Sequence, residues 1–372
     1  MKSKVYFCNM RATKASQSIS SKVSKLFDIA GFKNIISEND LTAIKVHFGE
    51  KGNNAYISPI YVRQIVDKVK SSGGKPFLTD SNTLYKGSRS NGVDHLITAI
   101  ENGFAYSVVN APIVIADGIY SKDSLDVAIH KKHFDSVKIS SNVVRADSMI
   151  VLSHFKGHEI AGFGGAIKNL AMGGAPAAGK QQQHSTVQPK VEADCRACKM
   201  CLKNCPEEAI TMVDGAAYID PDKCIGCGEC ISVCTFDVIK PQWGTEMDKF
   251  IERMTEYAYG AYITKKEKIA FMNFVINVTP LCDCVPWSDA PIVPDIGVLA
   301  SFDPVAIDQA SFDLVNSQTG HLSSFLGDKG HGINPGEDKF KAIHPKTRGE
   351  LQLEYGEELG LGTRDYELIE VK

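Results

Sequence analysis

The stretch AIKVHFGEKGNNAYISPIYVRQIVDKVKSSGGKPFLTDSN, residues 43–82, reads as strand, helix and strand in one pass. Ala43–Phe48 is an apolar, β-branched run that ends in the polar loop EKGNN. Val62, Ile65, Val66 and Val69 then recur at the spacing of one helical face, predicting a helix over 59–71. Ser58 suits the N-cap and Pro59 the first helical position. Gly73-Gly74 stops the helix, and Pro76–Thr79 is a second strand that ends in Asp80-Ser81-Asn82. Two strands with a helix between them pair in parallel within one sheet.

The same rhythm runs outward in both directions. Val5–Cys8 is a strand, followed by a helix over 15–30 with Ile19, Val23, Leu26 and Ile29 on one face. Residues 92–101 read as a helix, Ile113–Ala116 as a strand ending in Asp117-Gly118, and Met149–Ser153 as another strand. Residues 171–192, rich in Gly, Ala and Gln, read as a loop. Further along come a helix over Thr245–Ala261, strands Phe271–Val278 and Ile296–Ala300, and a helix over Pro304–Val315 that Asp303 would cap. The fold expected is α/β: a largely parallel sheet covered by helices. In such sheets ligands lie beyond the carboxyl ends of the strands, which singles out His47, Asp80, Asp117 and His154 by position.

Between these halves stand two copies of one cysteine motif. Cys195-x2-Cys198-x2-Cys201-x3-Cys205-Pro206 is followed by Cys224-x2-Cys227-x2-Cys230-x3-Cys234. Each run supplies four thiolates at the spacing that wraps a cubane, and the fourth cysteine of each run ligates the other cluster. Two [4Fe–4S] clusters follow, one on Cys195, Cys198, Cys201 and Cys234, the other on Cys224, Cys227, Cys230 and Cys205. Structural zinc uses separated C-x2-C knuckles instead. The segment resembles a bacterial ferredoxin, with Thr235 in the place that Pro206 holds in the first run. Because the αβ pattern resumes afterwards, the cassette reads as an α+β insertion at 191–241. It divides one α/β body into 1–190 and 242–372.

Composition restricts the function classes. Hydrophobic residues make up 43% of the 372 residues, charged residues 23%, and the net charge is −3. Such a balance offers no electrostatic footprint for nucleic acid or an anionic membrane. No apolar run is long enough to span a bilayer, and the N-terminus does not read as a signal peptide. A cytoplasmic location is expected, where thiolates remain available as metal ligands.

Three segments carry further chemistry. SHFKGHEIAGFGGAIKNLAMGGA, residues 153–175, sets His154, Lys156, His158 and Lys168 among glycines, with a helix starting near Gly165. Backbone N–H groups at that helix start suit a phosphate or carboxylate, although the glycines match neither the dinucleotide fingerprint nor a phosphate-binding loop. His184 would join them if the chain returns towards the cassette. Lys45 and His47 end one strand, while Asp80, Asn82 and Arg89 follow the next. PLCDCVPW, residues 280–287, holds Cys282 and Cys284, a pair that chelates a mononuclear metal or forms a redox couple. Cys8 reads as core.

Together, HFGE at 47–50, TDSNTLYKGSR at 79–89, the Gly-rich segment, the double cassette, CDC at 282–284 and FDPVAIDQAS at 302–311 resemble the DUF362-type iron–sulfur proteins of anaerobic bacteria and archaea. The resemblance implies an α/β body with an inserted ferredoxin module and brings no settled activity. The function expected is an oxidoreductase or reductase component. A redox partner, a ferredoxin or reductase, supplies electrons through both clusters to a pocket lined by His47, Asp80, His154, His158 and Lys168, which takes a small anionic substrate. The rivals are an electron relay without turnover and a non-redox metal enzyme whose clusters are structural.

Overall fold

The computed structural model describes residues 2–85, 87–184, 189–192, 194–205, 207–224, 230, 233–234, 236, 238–240 and 247–371. Seven strands form the central sheet: β1 (Ser3–Asn9), β2 (Leu41–Val46), β3 (Lys75–Thr79), β4 (Ser148–His154), β5 (Ile269–Val275), β6 (Gly297–Ser301) and β7 (Tyr366–Glu370). Their order is β7-β1-β6-β5-β4-β2-β3. β5, β4, β2 and β3 run parallel as a block, with Phe274 beside His154, Val46 beside Leu152 and Lys45 beside Thr79. β6 is antiparallel to both β1 and β5, and β7 is parallel to β1. The sheet is thus mostly parallel, and strands from both sides of the cassette share it.

Alternate side chains of each strand enter two apolar layers, as the pleat requires. Ala43, Met149, Val151 and Phe271 face one layer, which also takes side chains from α4 (Ala166–Gly174), α6 (Met247–Ile263) and α7 (Pro304–Asn316). Ile44, Val46, Ile150, Leu152 and Met272 face the other, closed by α1 (Ile19–Ala30) and α2 (Pro59–Ser71). The predicted helix over 59–71 is α2, and its buried residues are Val62, Ile65, Val66 and Val69. α3 (Gly92–Ala99) is capped by Asn91. Cys8 is fully buried.

Two expectations need correction. Ile113–Ala116 forms no strand of its own. It follows the edge of β3 through Val114 N–H to Leu78 O and Ala116 N–H to Asp80 O, with one ladder bridge, Leu78 to Ile113. Pro112 lacks an N–H and the chain turns at Gly118, where φ is +72°, so the pairing stays short. Most of the described part of 171–192 is not a loop: α4 continues to Gly174, and α5 (Ala177–His184) follows with most of its residues buried. Its small residues let helices approach closely, since a Cβ on Gly179 would stand 3.0 Å from the Tyr257 ring on α6.

The described part of the cassette has its own apolar cluster, including Ile210, Ala217, Val233 and Ile239 together with Cys201 and Cys230. Ile210–Val213 pairs antiparallel with Ala216–Ile219. Lys190–Val191 pairs antiparallel with Ile239–Lys240, so the cassette enters and leaves side by side. Cys227, Pro206 and Thr235 lie outside the described residues. No helix among the described residues is long and apolar enough to cross a membrane.

Candidate functional site

The parallel block sends four chain segments off the same end of the sheet. His47 follows β2, Asp80 follows β3, His154 ends β4, and the Cys282–Cys284 turn follows β5. A cavity of about 920 Å³ lies there. It is lined by His47, Asp80, Arg89, His158, Lys168, Lys180, His184, Met247, Cys282 and Cys284, among others. Of the pocket candidates read from sequence, His47, Asp80, His158 and Lys168 line it, and so do the two cysteines. His154 does not.

His154 lies behind the wall. Its Nδ1 donates to Asp283 Oδ1 at 2.8 Å, and its Nε2 meets Ile276 O at 2.8 Å. Both ring nitrogens face acceptors. Lys156 Nζ adds an ion pair to Asp283 Oδ2 at 3.3 Å and donates to His154 O. Burial alone would push the Asp283 carboxyl up, but His154 and Lys156 hold it far below the usual carboxylate range. Asp283 is thereby fixed inside the protein, while the cysteines on either side line the cavity. Val285 N–H to Cys282 O closes their turn at 3.2 Å.

His47 is the opposite case. Gly49 N–H donates to Nδ1 and Arg89 Nη1 meets Nε2, both at 3.0 Å. Burial and then the Arg89 guanidinium push its pKa well below the ordinary value, so the ring is neutral. Arg89 is itself buried. Its Nε donates to Glu50 Oε2 at 3.1 Å, its Nη2 to Tyr85 Oη at 3.2 Å, and Asp80 Oδ2 lies 3.8 Å from Nη1. Asp80 also pairs with Lys45 Nζ at 3.0 Å. Burial raises the Asp80 carboxyl, but the Lys45 and Arg89 charges outweigh it and keep it ionised. A Cβ on Gly173 would overlap the Lys45 ammonium, so that glycine admits the buried pair.

The Gly-rich segment supplies the facing wall. Lys156–His158 and Gly162–Gly164 pair as a hairpin. A Cβ on Gly157 would run into the Pro280 carbonyl, so the hairpin packs directly on the cysteine-bearing loop. His158 Nδ1 accepts from Ile160 N–H and Ala161 N–H, both at 3.1 Å, which leaves its proton on Nε2. Lys168, on α4, brings Nζ to 3.9 Å from Cys282 Sγ. The anion site expected at the start of α4 is already filled: Asp308 takes Ala166 N–H at 2.7 Å and Ile167 N–H at 2.9 Å. This corrects the sequence expectation, because the chain supplies its own carboxylate there.

Sequence reading missed Lys180, hidden in the segment taken for a loop. Its ammonium donates to Ala175 O at 2.6 Å, and burial pulls its pKa down to about 8. Glu50 was visible only as part of a polar loop. It gathers Arg89 and Ser88, accepting from Ser88 N–H at 2.6 Å. No local pattern distinguishes either residue from surface positions.

At the cassette, Cys195, Cys198, Cys201 and Cys234 line one small cavity with Met212, Ala217, Val238 and Ile239. Three cysteines of the first run and the last of the second therefore meet, as crossed ligation requires. Ala217 N–H points at Cys195 Sγ (3.4 Å) and Ala209 N–H at Cys205 Sγ (3.3 Å), hydrogen bonds that suit thiolate sulfur. Four cysteines on one largely apolar cavity are a donor set that fits a cubane, which takes one thiolate per corner. Among the described residues, no group of three or more His, Cys, Asp or Glu side chains is placed to hold a single metal ion.

A family model described as "Domain of unknown function (DUF362)" matches residues 42–313, spanning the parallel block, the cassette and the Cys282–Cys284 turn. The chain belongs to this DUF362 family. Curated relatives match over shorter stretches. A component of the ion-translocating oxidoreductase complex of Methanosarcina acetivorans is 44% identical over 43 residues, 12% of this chain and 16% of that protein. A ferredoxin from Rickettsia felis is 33% identical over 69 residues, 18% of this chain and 62% of that one. This DUF362 chain thus spans less than two thirds of either relative's length. Among solved structures, the lactate racemase apoprotein from Thermoanaerobacterium thermosaccharolyticum aligns with a TM-score of 0.37 at 13% identity, over 68% of this chain and 49% of that one. A likeness that low carries no argument.

Proposed function

We propose that this protein is an iron–sulfur oxidoreductase, or the reductase component of one, that delivers electrons from a redox partner to a small anionic substrate in the cavity. The observation that supports the reading is the lining of the cavity on either side of the cassette. His184 and Met247, the described residues that flank the 185–246 stretch, both line the cavity. Cys195, Cys198, Cys201 and Cys234 would hold one [4Fe–4S] cluster, and Cys224, Cys227, Cys230 and Cys205 the other. Such clusters supply single electrons at potentials set by charge, hydrogen bonding and exposure.

The chain's own residues prepare the cavity for an anion. Lys168, Lys180 and Arg89 all line it, and Lys168 lies outside the Asp80 and Glu50 ion pairs. His47 and His158 are neutral, because burial pushes both well below the ordinary value. Lys180, at about 8, holds a transferable proton near neutrality and is the proton source for a reduced product. Asp80 positions Lys45 and Arg89, and His154 positions the cysteine turn through Asp283.

A second reading, a relay without turnover, is favoured by the separate apolar cluster of the cassette. None of the described residues between 191 and 240 lines the cavity.

Anaerobic purification, metal analysis and EPR during dithionite reduction test the proposal. About eight irons with two reducible cubane signals are expected. Zinc in place of iron, or no reducible signal, refutes it. If the reduced protein is reoxidised at the same rate with and without a panel of small anions, the relay stands in its place.

A further inference from the structure

The Cys282–Cys284 turn contains chemistry that neither the clusters nor the proton source uses. The two cysteines stand two residues apart in one turn, which Val285 N–H closes on Cys282 O at 3.2 Å. Both line the cavity. Asp283 between them is held by His154 and Lys156, which anchors the turn at the residue between the two cysteines. The Lys168 ammonium stands beside Cys282, and Tyr85 Oη donates to Cys284 O at 3.2 Å from the other side.

We propose that Cys282 and Cys284 form a reversible dithiol/disulfide couple acting on small anionic disulfides, with Cys282 as the attacking thiol and Cys284 as the resolving thiol. The inference rests on the cavity's preference for anions and needs neither cluster. A bond between cysteines separated by one residue closes a short, strained ring. Strained disulfides are readily reduced and belong to the labile, catalytic class rather than the structural one.

The Lys168 ammonium, 3.9 Å from Cys282 Sγ, assigns the roles. The contact from Cys284 and the nearby Lys168 and Lys156 lower the Cys282 thiol well below the ordinary value, whereas the contact with Cys282 and burial raise Cys284. Cys282 is thus the thiolate, and the thiolate is the nucleophile. Its sulfur attacks the substrate S–S bond. That bond breaks, one substrate thiolate leaves, and a mixed disulfide forms on Cys282. Cys284 then gives its proton to solvent and attacks Cys282 Sγ, releasing the second substrate thiolate and leaving the Cys282–Cys284 disulfide. Two electrons have passed from the pair to the substrate. Two electrons and one proton, supplied by a small dithiol, restore the thiolate–thiol pair.

The test uses full-length, cluster-loaded protein under anaerobic conditions, with 5,5′-dithiobis(2-nitrobenzoate) as the anionic disulfide. After acid quenching and alkylation, the tryptic peptide 269–329 is weighed. In the wild type this peptide is expected two hydrogens lighter and resistant to alkylation. Cys284→Ser is expected to stop at the mixed disulfide on Cys282. Cys282→Ser is expected to react at least about tenfold more slowly. Lys168→Met, which keeps both sulfurs, is expected to slow the attack and move its pH midpoint upward. A wild type that halts at the mixed disulfide, equal rates for the two cysteine variants, or equal rates for anionic and neutral disulfides overturns the proposal. EPR on the same samples separates this from the electron-delivery reading: reducible clusters beside an inert pair refute only the couple.

Discussion

His154 donates through Nδ1 to Asp283 at 2.8 Å, and this buried bond fixes the one acidic residue between two cysteines that face the cavity. Asp283→Asn would leave the buried Lys156 ammonium without its carboxylate and remove the charged acceptor of His154 Nδ1. Breaking a buried ion pair from one side costs about 3–5 kcal/mol. The variant is expected to lose stability on that scale in anaerobic denaturation. It is also expected to alkylate faster at Cys284 as the turn loosens. Unchanged stability would mean that solvent reaches this pair.

Crossed ligation makes an unequal prediction for two similar substitutions. Cys234→Ser removes a thiol from the cavity that Cys195, Cys198 and Cys201 also line. Cys205→Ser removes the ligand assigned to the cluster of Cys224, Cys227 and Cys230. Each is expected to perturb one EPR signal, and the two variants to perturb different ones. If both disturb the same signal, the assignment fails.

Burial holds His95 and His184 down to about 3. Both therefore fold in the neutral form. Above about pH 6.5 the unfolded chain is neutral at these positions too, and the full contribution to stability is present. As pH falls from there towards 3, the unfolded state takes up protons that the folded state refuses, and stability is lost. Each ring contributes roughly 1.4 kcal/mol per pH unit in that window. His95→Gln is expected to flatten the dependence of the denaturation midpoint between about pH 6 and 4 relative to wild type. Equal slopes would contradict it.

Asp303 caps α7 by accepting from Val305 N–H and Ala306 N–H, both at 2.9 Å. Its other oxygen accepts from Ser3 Oγ at 2.7 Å and Thr363 N–H at 2.9 Å, so one carboxylate joins the helix start to both ends of the chain. Loss of a cap costs about 0.5–2 kcal/mol. Asp303→Ala is expected to exceed the upper end of that range, because three elements share the oxygens. Thermal denaturation of the two proteins under the same anaerobic conditions checks it.

Periodicity and punctuation made much of the body legible. The face Val62, Ile65, Val66 and Val69 is local, and so is the Asp303 cap, and both depend on residues within a turn or two. The cysteine spacing is local as well, because three ligands of one cubane come from a single short run. The sequence by itself therefore determined the α/β class, the repeated cysteine motif and the candidates at the strand ends. Only the tertiary structure decided which side each candidate faces. His47 and His154 are both histidines at strand ends, yet one has donors at both nitrogens and the other acceptors. Asp308 and Lys180 show the same limit: one fills a helix start more than a hundred residues away, the other reaches the cavity from a helix whose small residues read as a loop. Ion pairs such as Lys45 with Asp80 and Lys156 with Asp283 join segments distant in sequence. Their energy depends on separation and burial, which a one-dimensional pattern does not contain.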